Sequence, residues 1–189
     1  RMVSRVTASV EARMAGCPLS AMSSAGSGNQ GLITALALEE GARFLHASQE
    51  DLSRALAAAH LLNVQIKQYI GKLSATCVCA VSSAASGAAG LCLLMGGDAG
   101  AMGRAVINIS GSLTGMICDG RKAGCAFKLA AACSMAVISA AMAMQGVVIP
   151  ADNGVCAATP EEAIRNMGKI SDPGMKDTDQ AILDIMLNR

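Results

Sequence analysis

Cys118 and Cys125 are separated by six residues, in the stretch Cys-Asp-Gly-Arg-Lys-Ala-Gly-Cys. Glycine lies close to each, and an acid and bases stand between them. A third thiol, Cys77, opens a long apolar Ser/Ala-rich stretch, with Cys79 two residues on. Three thiolates from different segments can hold a [4Fe–4S] cube by three corners, leaving the fourth iron open to a substrate. A structural zinc site would want a fourth ligand, usually as Cys-x-x-Cys pairs, and neither His46 nor His60 has that spacing. The plain alternative is that free cysteine fills apolar space. That is the expectation for Cys92, Cys133 and Cys156, and Cys17, ahead of a proline, stays unassigned. From spacing alone, metal ligation and core packing both remain open for Cys77, Cys118 and Cys125.

A second constellation is the run Ser-Ser-Ala-Gly-Ser-Gly-Asn-Gln-Gly at 23–31. It precedes a helical pattern, so its amides and the helix dipole could take an anion. No Gly-Lys-Ser/Thr follows, which excludes a Walker loop, and no strand precedes it, which excludes a dinucleotide fingerprint. Ser24, Ser27, Asn29 and Gln30 suit a carboxylate better than a triphosphate, and an ordinary polar loop is the alternative. Asp119 could orient an ammonium, and Lys122 could lower a thiolate pKa. Lys67, His60 and Lys122 are weak candidates for a general base.

The elements that position these groups read as helix after helix. Residues 2–15 are periodic and stop at Gly16, with Pro18 beyond. A helix is expected from 31 to 46, with a break at Gly41. Ser48 caps the next, with acids in its first turn; it covers 52–63 and continues or kinks into 64–73. Residues 77–96 and 129–150 are nearly uncharged but rich in Ala, Ser, Gly and Cys, without an aromatic belt. They read as buried central helices rather than membrane spans. Shorter helices are expected at 99–109, from Pro160, and from Asp177 or Thr178 to residue 187, with a long one at 126–145. Only 146–149 hints at a strand. The fold class is all-α, a compact bundle with small-residue central helices.

Composition agrees. The chain has 189 residues, 52% of them hydrophobic but only 2% aromatic, and no Trp, so its interior is Ala, Met, Leu, Ile, Cys and Gly. Small side chains let helix backbones approach closely. The formal charge of +1, with scattered bases, excludes a nucleic-acid footprint. Eight cysteines without a secretory signal point to a reducing cytoplasm rather than a disulfide scaffold. One domain, 1–189, is expected, and the opening on Arg1 in mid-helix suggests a piece of a longer protein.

Three ordered motifs carry a resemblance: Gly-Ser-Gly-Asn-Gln-Gly at 26–31, Met-Ile-Cys-Asp-Gly-Arg-Lys-Ala-Gly-Cys at 116–125, and Asp-Pro-Gly-Met-Lys-Asp-Thr-Asp at 172–179. Together they resemble the serine dehydratase-like alpha family over essentially the whole chain. Within it, the chain is most similar to the branch of L-cysteine desulfidase and its UPF0597-type relatives, as the C-terminal cluster-binding part. The resemblance implies an all-helical domain holding a [4Fe–4S] cluster and a β-elimination yielding pyruvate and ammonia, with sulfide or water. It implies Cys118 and Cys125 as cluster ligands, with Cys77 as the third and Cys79 as its rival. It implies Ser24, Ser27, Gly28, Asn29 and Gln30 as the substrate-binding loop.

The serine enzymes have proline where this chain has Asp119, which favours the desulfidase branch; iron–sulfur L-serine dehydratase is the alternative. Full desulfidases carry an N-terminal half that supplies the base, so contact with such a domain, or a homo-oligomer, is expected. The partner is a small amino acid, cysteine or serine, with no nucleic acid and no membrane. A non-catalytic helical interaction domain is the reading from a different class.

Overall fold

The structure, a computed structural model, describes residues 1–71 and 74–188. Eight α-helices account for most of it: α1 (Met2–Met14), α2 (Gly28–Leu45), α3 (Gln49–Ile70), α4 (Val78–Leu94), α5 (Ala99–Leu113), α6 (Cys125–Met144), α7 (Pro160–Lys169) and α8 (Lys176–Leu187). Among the described residues there is no strand, only the isolated bridges Ser24–Ser27 and Thr76–Ile117. The all-α expectation holds, and residues 146–149 form no strand.

Helix α4 is the centre. It touches α2, α3, α5 and α6, and nearly every residue of it is buried. Its sequence, Val-Cys-Ala-Val-Ser-Ser-Ala-Ala-Ser-Gly-Ala-Ala-Gly, has no large polar group to solvate, so all sides of the helix can be enclosed. A Cβ on Gly90 would stand 2.9 Å from the Leu38 side chain, so α2 approaches α4 closely because that position is bare. Helix α6, equally apolar, is different. One face packs on α1, α4 and α5, while Phe127, Val137, Ile138 and Met142 remain exposed. It is long and apolar enough to cross a membrane by length and composition, yet only 39% of that window is buried. The expectation of a fully buried second central helix therefore needs correction: small residues make the inward face, and larger ones stay outside.

Several boundaries differ from the sequence pattern. Helix α2 begins at Gly28 and runs unbroken through Gly41, because Ser27 caps it and Gly41 lies against Leu91. Helix α3 is a single element ending at Ile70; residues 72 and 73, in its expected extension, lie outside the described residues. Helix α5 runs on to Leu113, where Ser110 and Leu113 are buried; the hydroxyls of Ser110, Ser112 and Thr114 are satisfied by carbonyls of the preceding turn. The last helix starts at Lys176 with no side-chain cap, ahead of both Asp177 and Thr178. The motif at 172–179 ends on it, after a turn in which Asp172 leaves helical geometry.

Candidate functional site

Helix α3 presents one polar stripe to the glycine-rich loop. His60, Asn63 and Lys67 are spaced three and four residues apart, the interval that places side chains on one helical face. His60 Nδ1 lies 2.7 Å from Ser24 Oγ. Asn63 Nδ2 donates to Ser24 Oγ at 2.8 Å and to Gln30 Oε1 at 3.0 Å. Lys67 Nζ donates to the Ala25 carbonyl at 2.7 Å.

The loop is a tight turn. Ser24 and Ser27 exchange backbone hydrogen bonds of 3.0 Å in both directions, around Ala25 and Gly26 at positive φ. A Cβ on Gly31 would lie 1.8 Å from the Met22 carbonyl oxygen, so only glycine lets the chain fold back on α2 there.

Each expected loop residue now has a place. Ser24, Asn29 and Gln30 are buried. Ser27 caps α2, its hydroxyl accepting from the Gln30 amide at 3.4 Å. Asn29 Oδ1 accepts from Arg13 at 2.9 Å, so Asn29 faces α1. A Cβ on Gly28 would collide with the same guanidinium at 2.8 Å. Gln30 Nε2 is buried and has no partner, a costly state for an amide unless a ligand or water meets it.

The cysteines gather next to this loop. A short antiparallel bridge pairs Thr76 with Ile117; Cys77 N donates to Met116 O at 2.7 Å and Cys118 N to Ala75 O at 2.6 Å. Those bonds set the Cys77 and Cys118 segments side by side, near enough for each thiol to shift the other's titration. The contact with Cys77 is the main cause that lowers Cys118 to about 6, against burial. The same contact, with burial, drives Cys77 upward. Neighbouring thiols, one with its pKa lowered, are the donor type that suits a soft metal.

Cys79 Sγ lies 3.3 Å from Ser27 Oγ, linking the cysteine cluster to the loop. Burial pushes this thiol up, opposed by Ser27, and it feels the charges of Cys118, Lys67 and Cys125. Cys125 opens α6 and its thiol points to the Gly120 carbonyl at 3.7 Å.

Among the described residues, no three His, Cys, Asp or Glu side chains are close enough to hold one metal ion. The structure thus brings Cys77 and Cys118 together, with Cys79 between them and the loop, and leaves Cys125 on the adjoining turn. The donor chemistry of Cys77 and Cys118 suits a soft metal, while Cys125 stands apart from them, directed at the Gly120 carbonyl.

That turn is braced from both sides. Asp119 pairs with Lys122 and Lys128, which hold its carboxyl down at about 2; Lys128 also donates to the Ile117 carbonyl at 2.9 Å. On the far side of Thr76, its hydroxyl meets Met175 Sδ at 3.0 Å and Ser74 contacts Ser171. So the motif at 172–179 braces the cysteine segment. Cys92, Cys133 and Cys156 are buried in apolar surroundings, as expected, and Cys17 is exposed.

A cavity of about 970 Å³ is lined by residues of α1, α2, α4 and α6, such as Phe44, Leu91 and Ile138. It includes none of these site residues. Sequence reasoning missed Asn63, Ser82 and Arg13; the interval His60–Asn63–Lys67 in an otherwise apolar and small-residue face was the available signal.

Comparison with known proteins bears on this arrangement. The model of the serine dehydratase alpha chain matches residues 2–184. The chain belongs to the serine dehydratase alpha-chain family. Similar members include UPF0597 proteins of Clostridium tetani, 42% identical over 95% of this chain, and of Caldanaerobacter subterraneus, 45% identical over 96%. A UPF0597 protein of Desulfatibacillum aliphaticivorans is 43% identical over 97%. This chain covers 42%, 43% and 42% of those relatives' lengths, so it spans less than half of each. No solved structure matches. Membership in this family makes the chain part of a dehydratase-type lyase family, in which the motifs at 26–31, 116–125 and 172–179 converge on one site.

Proposed function

We propose that this chain is the cluster-holding and carboxylate-binding part of a [4Fe–4S]-dependent amino-acid β-elimination lyase, acting on L-cysteine to give pyruvate, ammonia and sulfide. The observation that carries the reading is the Thr76–Ile117 bridge, which sets Cys77 against Cys118 beside the Ser24–Gln30 loop. Cys77, Cys118 and Cys125 would hold the cluster. When bound, it supplies an open Lewis-acidic iron for the departing sulfur or oxygen of the substrate.

The chain's own residues do the rest. The amides at the start of α2, the capping Ser27 and the unpartnered Gln30 Nε2 take the carboxylate. That grip fixes Cα so that its proton and the β-substituent align for elimination. Released aminoacrylate tautomerises and takes up water to give pyruvate and ammonia. Lys67, His60 and Lys122 are already engaged with Ala25, Ser24 and Asp119, so the Cα base belongs in the remaining half of the relatives' length.

The test is iron and acid-labile sulfide content after anaerobic reconstitution, followed by product analysis. Loading of about four irons per chain that collapses in Cys118→Ser supports the site. Little iron in either protein would sink it and favour a non-catalytic helical domain. Sulfide released from L-cysteine by full-length protein supports the desulfidase reading. Pyruvate from L-serine alone would favour an L-serine dehydratase, the reading that the family's own description supports.

A further inference from the structure

Asn63 is wholly buried on α3. Its Oδ1 accepts from the Ser82 hydroxyl of α4, and its Nδ2 donates to both Ser24 Oγ and Gln30 Oε1. An amide nitrogen has two protons, so both are used. Ser24 Oγ, having received one, also lies 2.7 Å from His60 Nδ1, the donor in that pair being set by the imidazole tautomer. Gln30 has one acceptor end and one donor end. Asn63 occupies the acceptor end, so Nε2 is left facing away, buried and without a partner. The direction of every bond from Ser82 to Gln30 follows from which way the Asn63 amide is turned. The reverse orientation would have Gln30 donate to Asn63 and present its oxygen, which attracts an ammonium and repels a carboxylate.

We infer that Asn63, oriented by Ser82, is a positioning residue that sets the polarity of the Gln30 amide and so makes the loop select carboxylates over their neutral amides. This rests on the reading of the 24–30 loop as a carboxylate site and adds residues from α3 and α4 to it. Asn63 touches no ligand; it acts through Gln30. A buried N–H donor meeting a charged oxygen binds strongly, and the same donor finds nothing comparable in a carboxamide.

The experiment follows the Gln30 side-chain amide in proton–nitrogen correlation spectra of the reduced, metal-free chain, with the signal assigned by its loss in Gln30→Leu. The probes are L-serine, glycerate (carboxylate without ammonium) and L-serinamide (ammonium without carboxylate). The expected result is a shift of the Gln30 protons with L-serine and glycerate and none with L-serinamide. Asn63→Asp, which can only accept, turns the Gln30 amide round and weakens L-serine binding about tenfold or more. Ser82→Ala keeps both Asn63 donors but frees its oxygen, and should narrow the preference for L-serine over L-serinamide several-fold.

A Gln30 response to L-serinamide and not to glycerate overturns the inference, as does an unchanged preference in Ser82→Ala. Movement of the Ser27 and Gly28 backbone amides without Gln30 also overturns it, while the carboxylate reading survives. In that event an internal water between Gln30 Nε2 and Thr34 Oγ1, another unpartnered buried atom one turn on, satisfies the donor. If no residue of 24–30 responds to L-serine or glycerate, both readings fall. Should Asn63→Asp not fold, the wild-type and Ser82→Ala arms still decide.

Discussion

The two halves of the candidate site are built to different degrees. The 24–30 loop is complete in the bare polypeptide: a capped helix start, a turn closed by reciprocal backbone bonds, and three α3 side chains clamping it. In the cysteine half, Cys118 of the 118–125 turn stands against Cys77, while Cys125 is directed at a backbone carbonyl. The difference follows from how each half is made. A hydrogen-bonding cradle can be made by packing alone, because most of its donors and acceptors meet within the fold, Gln30 Nε2 being left over. Thiols brought close together concentrate like charge once ionised, so on the proposed reading the last ligand would close only with the metal.

The largest effect should separate the halves outright. Cys77→Ser and Cys118→Ser are each expected to reduce iron loading from about four per chain to almost none, whereas Cys79→Ser, whose thiol bonds Ser27, keeps most of it. Equal losses in all three would put Cys79 into the cage and erase the division between cradle and cluster.

Next in size is Gly31→Ala. Its Cβ would collide with the Met22 carbonyl at 1.8 Å, with a backbone atom that cannot rotate away. We expect a loss of about 3 kcal/mol in urea unfolding. An alanine tolerated at under about 0.5 kcal/mol would mean that the cradle is not rigid.

Asn63→Ala leaves the Ser82 donor and the Gln30 acceptor buried without partners, at about 2 kcal/mol by the same measurement. Its effect on iron loading should be small, which sharpens the separation.

The smallest effect concerns Asp119. Lys122 and Lys128 hold it at about 2, below its ordinary value of 3.8. A depressed carboxyl stabilises the fold above its unfolded pKa, and that contribution fades as pH falls toward about 2. Amide exchange in 118–125 should therefore quicken as pH is lowered below about 4 relative to its intrinsic rate, and Asp119→Asn should abolish that dependence. An unchanged profile would show that the two lysines do not brace the turn.

Much of this was legible in the residues. Helix identity followed from periodicity and capping: Ser48, Thr159 with Pro160, and the glycines after α1 and α4 all mark ends where the structure places them. The two loops stood out because glycine, serine and cysteine cluster there against an Ala-rich background. The errors were of one kind. Gly41 reads as a break by propensity, yet tertiary contact with Leu91 keeps α2 straight through it. Residues 110–113 read as a loop by composition, yet α5 runs on through them with Ser110 and Leu113 buried. Local preference was outweighed by packing in both cases.

The amino-acid order by itself determined the all-helical class, the aromatic-poor core and the sites of both loops, because these depend on spacing and side-chain type within a few residues. Only tertiary structure decided that Asn63, Ser82 and Arg13 serve the loop, that Cys77 meets Cys118, and that α4 is enclosed while α6 keeps an exposed apolar face. Those pairings join residues far apart in the chain, and no local pattern encodes a hydrogen bond whose two ends are brought together only when the helices pack.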